Sequence, residues 1–282
     1  MAGIFSTKAL RVDDSYFELS TLVDNALDYE FLDDENIEFA GETYQDAFSA
    51  LTEVDGSYYL WVLGGSGFRF DDSGNVLGGT ITGIAIFDYN VVTEETEGVR
   101  FAIGGIKASF ASFGAAAETS DTADDSAFWE RILSKADSID LSDEDDVMVG
   151  LAGNDVMDGN GGDDVLIGGL GNDTLTGGSG DDAFLFDTKA GKKNVDTITD
   201  FSVSDDVLVF EIGVFSSLEE RRLEEDEFIA GSKALDANDY LVYNNGTLFY
   251  DADGSGKGKA VAVVTLTGVP ALTFENISTY SD

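Results

Sequence analysis

The sequence predicts a mainly β protein in two parts: an N-terminal α+β domain with an antiparallel sheet, then a parallel coil of short repeats. Three observations carry this. A nine-residue period starts at Leu141 and runs for five blocks; alternating apolar and polar residues fill Ser57 to Asp88; and glycine and aspartate are concentrated where the repeat lies. The expected divisions are residues 1–140, 141–215 and 216–282.

The N-terminal part has no repeat. Its alternating stretch YYLWVLGGSGFRFDDSGNVLGGTITGIAIFD reads as two strands joined by a turn over Asp71 to Asn75, and Val99 to Ile106 reads as a further strand. In Asp124 to Ala136, Phe128, Ile132 and Leu133 fall at helical spacing, with carboxylates early and Arg131 and Lys135 late, which predicts a helix leading into the repeats.

The blocks are LSDEDDVMV, GLAGNDVMD, GNGGDDVLI, GGLGNDTLT and GGSGDDAFL. The sixth position is always aspartate: Asp146, Asp155, Asp164, Asp173 and Asp182. The eighth is always large and apolar: Met148, Met157, Leu166, Leu175 and Phe184. The fourth is Gly153, Gly162, Gly171 and Gly180 in four blocks and Glu144 in the first. A flexible Gly/Asp linker has no reason to keep an apolar residue at every ninth position.

Mechanically, glycines let the first six residues of a block turn tightly, and the last three form a short strand whose middle residue points inward. Two blocks make one coil, so each turn stacks on the turn eighteen residues later (~18 from two nonapeptides). Every gap between turns is then walled by carboxylate and carbonyl oxygens from two turns. Hard oxygen donors in an adjustable cage suit Ca2+ better than Mg2+. The expected metal-binding positions are therefore Asp146, Gly153, Asp155, Gly162, Asp164, Gly171, Asp173, Gly180 and Asp182.

This nonapeptide pattern is a known sequence signature of calcium-binding parallel β-helices. The repeats resemble the RTX (repeats-in-toxin) family, also called haemolysin-type calcium-binding repeats. The resemblance implies a parallel β-roll, about three complete calcium sites and export by type I secretion machinery through an uncleaved C-terminal signal. After the repeats, DTITDF and the following DD-V-L resemble the segment that closes the roll in that family, where aspartates supply a last site; Asp196 and Asp200 are the candidates. FYDADGSGKGKAVAVVTLTGVPAL resembles the family's C-terminal module, although the chain finishes ENISTYSD rather than on an acidic residue followed by apolar ones.

Within that C-terminal segment, Leu218 to Phe228 reads as a short exposed helix, and Tyr240 to Tyr250 as a hairpin turning at Asn245-Gly246. Asp251-Ala252-Asp253-Gly254 starts like an EF-hand loop, but Ala262 stands where the bidentate glutamate belongs, so that motif is rejected. Gly254 to Lys259 is no phosphate loop either, because Ala260 replaces the required Ser/Thr.

Composition narrows the function classes. The 282 residues include 56 acidic and 15 basic, a net charge of −41, which disfavours nucleic acid and anionic membranes as partners and calls for divalent cations. The absence of cysteine removes disulfides and thiolate chemistry, and the absence of histidine removes the usual hydrolytic triads and HExxH sites. No G-x-S-x-G is present. The N-terminus lacks the apolar stretch of a cleaved signal peptide. The resulting expectation is a secreted, extracellular, non-catalytic calcium-binding protein. Its N-terminal domain would bind an unidentified extracellular ligand or self-assemble. The alternatives are a haemophore-like carrier, although Tyr58, Tyr59 and Tyr89 read more simply as strand aromatics than as haem ligands, and a secreted carboxylate-based glycosidase with an RTX tail.

Overall fold

The computed structural model describes strands between residues 26 and 109, then residues 131–219 and 223–281. The chain divides into two compact units, Leu10–Ser142 and Asp143–Asp282.

The first unit is an antiparallel sheet. β1 (Ala26–Leu32), β4 (Asp46–Val54), β5 (Ser57–Phe70), β6 (Val76–Asn90), β7 (Glu95–Gly104) and β9 (Ser138–Leu141) pair in that order. β2 (Ile37–Phe39) and β3 (Glu42–Tyr44) form a separate hairpin, and β8 (Ala108–Ser109) pairs with β6. The alternation that predicted β5 and β6 is satisfied by burying Trp61, Leu63, Ile81, Ile84 and Ile86. Glycine has a specific use here. The Tyr44 ring lies across Gly64 and Gly83, where a Cβ would strike it, so the missing side chains make the seat for a buried aromatic. Tyr58 and Tyr59 lie on β5 and Tyr89 on β6. The turn expected at Asp71 to Asn75 and most of the helix expected at Asp124 to Ala136 lie outside the described residues; Arg131 and Ile132 are helical, and Ile132 and Leu133 are buried.

The second unit begins as a parallel roll of two sheets. One contains β10 (Val147–Val149), β12 (Val165–Ile167), β14 (Ala183–Phe186), β16 (Val207–Glu211) and β21 (Ile277–Tyr280). The other contains β11 (Val156–Asp158), β13 (Thr174–Thr176), β15 (Asp196–Ile198) and β20 (Val261–Leu266). All these pairings are parallel, and Val147 faces Val165 as Val156 faces Thr174, the two-block step that the period requires. Alternation sends every eighth-position residue inward. Met148, Met157, Leu166, Leu175 and Phe184 are at most 1% exposed, and Ile198, Leu208, Leu266 and Ile277 extend that core at the same burial.

The outer faces of the two sheets differ. The β10 sheet presents Val165, Ala183 and Leu185, which are buried, with Val147, Ile167, Val207 and Val209 packed against them. The β11 sheet presents a threonine row instead, in which the Thr176 and Thr199 hydroxyls hydrogen-bond at 2.8 Å.

Beyond the repeats the coil closes into a cap. β17 (Phe228–Ala230), β18 (Leu241–Asn244) and β19 (Thr247–Tyr250) follow β20 in the sheet, and β18 and β19 form the expected hairpin. Its turn residues, Asn245 at φ 50° and Gly246 at φ 85°, have the paired left-handed conformation of a tight hairpin turn. Phe186, Phe210, Phe215 and Tyr250 join roll to cap through successive ring contacts of 5.2, 5.0 and 5.1 Å.

The helix expected from Leu218 to Phe228 is not found among the described residues. A single 3-10 turn occupies Glu225–Glu227 and leads into β17, with Glu224 N–H donating to Glu227 Oε2 at 2.9 Å. Residues 220–222 of the expected helix lie outside the described residues; Leu218 and Leu223, on either side of them, are both buried.

Candidate metal centre

The six-residue turns of the roll stack into two columns of aspartate. Asp146, Asp164, Asp182 and Asp206 form one, and Asp155, Asp173 and Asp196 the other; each of the seven is at most 7% exposed. Backbone N–H groups hold the register. Asp146 N–H donates to Asp164 Oδ1 at 2.8 Å, Asp164 N–H to Asp182 Oδ1 at 3.0 Å and Asp182 N–H to Asp206 Oδ1 at 3.2 Å. In the second column Asp155 N–H donates to Asp173 Oδ1 at 2.9 Å, and Asp173 N–H to Asp196 Oδ1 at 3.0 Å.

A second ladder at the fifth position runs the opposite way. Asp163 N–H donates back to Asp145 Oδ1, Asp181 N–H to Asp163 Oδ1 and Asn172 N–H to Asn154 Oδ1, each within 2.9 Å. The fifth residue therefore fastens a turn to the one after it, and the sixth fastens it to the one before.

This arrangement spends one oxygen of Asp164 and of Asp173 and leaves the other, whereas Asp206 spends both, its Oδ2 accepting the Ser202 N–H at 2.7 Å. The Oδ2 atoms of Asp164 and Asp173 are buried without a hydrogen-bond partner. They face the glycines that precede their own turns. A Cβ on Gly159 would collide with Asp164 Oδ2 and the Gly177 carbonyl oxygen together. One on Gly150 would stand 2.7 Å from Asp155 Oδ2 and 2.8 Å from the Gly168 carbonyl oxygen. At each point a carboxylate from one turn and a carbonyl from the next converge on a space that only glycine leaves open. Among the described residues no three carboxylates meet at one place, so main-chain carbonyls are needed to complete a coordination shell. Calcium accepts such a mixed oxygen set, and the residues fit it.

The fourth-position glycines shape the turns. A Cβ on Gly162, whose φ is 102°, would strike the Glu144 carbonyl; Gly171 and Gly180 are seated in the same way on the carbonyls of Gly153 and Gly162. Glu144 therefore contributes its main chain at the place where Gly153 does, and the first block stacks despite lacking glycine.

Burial is the main force on the carboxyls. It pushes Asp164 and Asp196 up to about 8 and Asp182 up to about 6, and it raises Asp173 and Asp206, with neighbouring aspartates adding to the rise at Asp164, Asp182, Asp196 and Asp206. The leading causes of these five shifts include no lysine or arginine.

Of the positions expected to bind metal, Asp146, Asp155, Asp164, Asp173, Asp182 and Asp196 stand in the two columns, and Gly153, Gly162, Gly171 and Gly180 form the turns beside them. Asp200 stands differently. Its Oδ1 accepts the Gly177 N–H at 3.0 Å and its Oδ2 the Gly178 N–H at 2.8 Å, so both oxygens clamp the fifth block's turn. Asp206 takes a column position that the nine-residue period does not reach. A local signal is present, because Asp205-Asp206-Val207-Leu208 repeats the Asp163-Asp164-Val165-Leu166 pattern, but the step from Asp182 lengthens to 24 residues.

Two outcomes are expected. Gly159→Ala should destabilise the calcium-loaded protein by about 1–3 kcal/mol through overpacking. Gly191→Ala, where a Cβ meets nothing within 4 Å, should be neutral or stabilising by up to about 1 kcal/mol, both read by denaturant titration. The raised carboxyls also set a pH dependence. Without calcium the roll binds more protons than the unfolded chain between the ordinary aspartate value of 3.8 and about 8, so its stability is greatest in acid and falls as pH rises through that window. Thermal unfolding at pH 4 and pH 8 should show the metal-free roll more stable at the lower pH, and a larger gain on adding calcium at the higher.

The family model described as the RTX calcium-binding nonapeptide repeat matches residues 140–175 and 158–187 in four copies. Among solved structures, the AlgE6R3 subunit of the Azotobacter vinelandii mannuronan C5-epimerase is similar at 25% identity, covering 51% of this chain and 77% of that one with a TM-score of 0.32. The extracellular lipase LipA of Serratia marcescens is similar at 18% identity, covering 82% of this chain but 30% of the lipase, with a TM-score of 0.28. No curated protein matches the chain. The matched repeats coincide with the stacked turns and their aspartate columns, so residues 140–187 carry RTX calcium-binding nonapeptide repeats.

Proposed function

We propose that this protein is exported unfolded and folds outside the cell as calcium fills the roll. The observation that carries the reading is the pair of buried aspartate columns, in which Asp164 and Asp173 keep an unpartnered oxygen and the leading causes of their shifts include no basic side chain. In a calcium-poor cytoplasm the columns repel themselves, and the repeat segment remains threadable. Outside, calcium binds the folded state alone; each site held at about 100 times its dissociation constant adds about 2.7 kcal/mol of stability. A few such sites supply a large share of the ~5–15 kcal/mol by which a domain is stable.

In this reading residues 216–282 serve as both the closing cap and the segment recognised by type I secretion machinery. The antiparallel sheet of the N-terminal unit has a non-catalytic role, binding an extracellular ligand or assembling with itself. The lack of histidine and cysteine over the whole chain supports a non-enzymatic reading, because it removes the commonest nucleophile–base pairs.

Export from cells carrying a type I exporter tests the proposal. The full chain should accumulate in the medium, and a chain lacking residues 216–282 should stay inside. Equal export of both, or retention of both, would refute the role of the C-terminal segment.

A further inference from the structure

We infer that the loop Asp251–Gly258, outside the repeats, is a separate divalent-cation site in which the carboxylates of Asp251 and Asp253 are the charged ligands.

The loop leaves β19 immediately after Tyr250. Asp251 is 7% exposed, and its Oδ1 is buried with no hydrogen-bond partner. The backbone fixes it there: Asp251 N–H donates to the Tyr240 carbonyl at 2.8 Å, and the Asp251 carbonyl accepts the Gly254 N–H at 3.2 Å. Asp253 is gripped by the loop that follows. Its Oδ2 accepts the Gly258 N–H at 2.9 Å, and its carbonyl the Gly256 N–H at 3.0 Å. A Cβ on either Gly256 or Gly258 would run into the Asp253 carboxylate, so both glycines are required for the chain to wrap around it. Ser255 N–H donates to the Asp236 carbonyl at 2.6 Å, tying the loop to the segment before β18.

The two carboxyls are within hydrogen-bonding reach of each other. Carboxylates held that close share either a proton or a cation. Lys257 and Lys259 are exposed. Two carboxylates in one turn, Asp251 buried and Asp253 exposed, form an oxygen donor pair of the calcium type. The loop needs no glutamate at the twelfth position for this, because the second carboxylate comes from the same turn.

The site is independent of the aspartate columns, so its failure leaves the calcium chemistry of the roll intact. The test is a count of bound calcium per chain, by equilibrium dialysis and metal analysis of the full-length protein, for wild type and Asp253→Asn. The amide keeps an oxygen to accept the Gly258 N–H while removing the charge. The expected result is one calcium fewer in the variant, with an unchanged calcium-dependent far-UV circular dichroism signal from the roll. An equal count in variant and wild type overturns the inference. If Asp253→Asn fails to give the roll signal, Asp253→Ser, which also keeps an acceptor, decides on the same criterion.

Discussion

Stacking like charges out of water is the constraint on which this structure depends. Seven aspartates stand in two buried columns whose carboxylates are tied from turn to turn by main-chain N–H groups, and the leading causes acting on the raised carboxyls among them include no lysine or arginine. Such an arrangement is costly unless protons or divalent cations occupy it. The hydrogen bonds set the register of the turns, but they leave one oxygen of Asp164 and of Asp173 unused. The same geometry that makes the metal-free roll unfavourable at neutral pH thus builds the site that relieves it.

The apolar core follows from the same repeat. With three-residue strands, each coil contributes only one or two inward side chains per sheet, and the core is a thin file of Met148, Met157, Leu166, Leu175 and Phe184. Such a file cannot hold charged turns together by itself. The cap adds what the repeats lack: Phe210, Phe215 and Tyr250 continue the stack, and β20 with β21 cover the last strands of both sheets. The aspartate columns run the length of the roll, and aromatic packing closes its C-terminal end.

Translational repetition makes the roll legible in the sequence. A period of nine fixes which residues stack, so the column positions from Asp146 to Asp182 and the inward apolar file follow from the spacing alone. Legibility fails where the period changes. Asp206 escapes the period because the step from Asp182 is 24 residues, although its local pattern matches the repeats. Asp200, expected on metal, lies outside the columns, and its two oxygens accept the Gly177 and Gly178 amides. In Leu218 to Phe228 the local charge pattern suggests a helix; residues 220–222 lie outside the described residues, and on either side of them Leu218 and Leu223 are buried. In the N-terminal unit, alternation reveals β5 and β6, but nothing local announces that Gly64 and Gly83 seat Tyr44.

The most direct measurement is far-UV circular dichroism of the full-length protein during a calcium titration at neutral pH, with magnesium as the control cation. Calcium-driven folding predicts a cooperative gain of β signal with calcium and little with magnesium, which keeps its waters and resists an irregular oxygen cage. A roll already fully formed without calcium, or formed equally by magnesium, would contradict it.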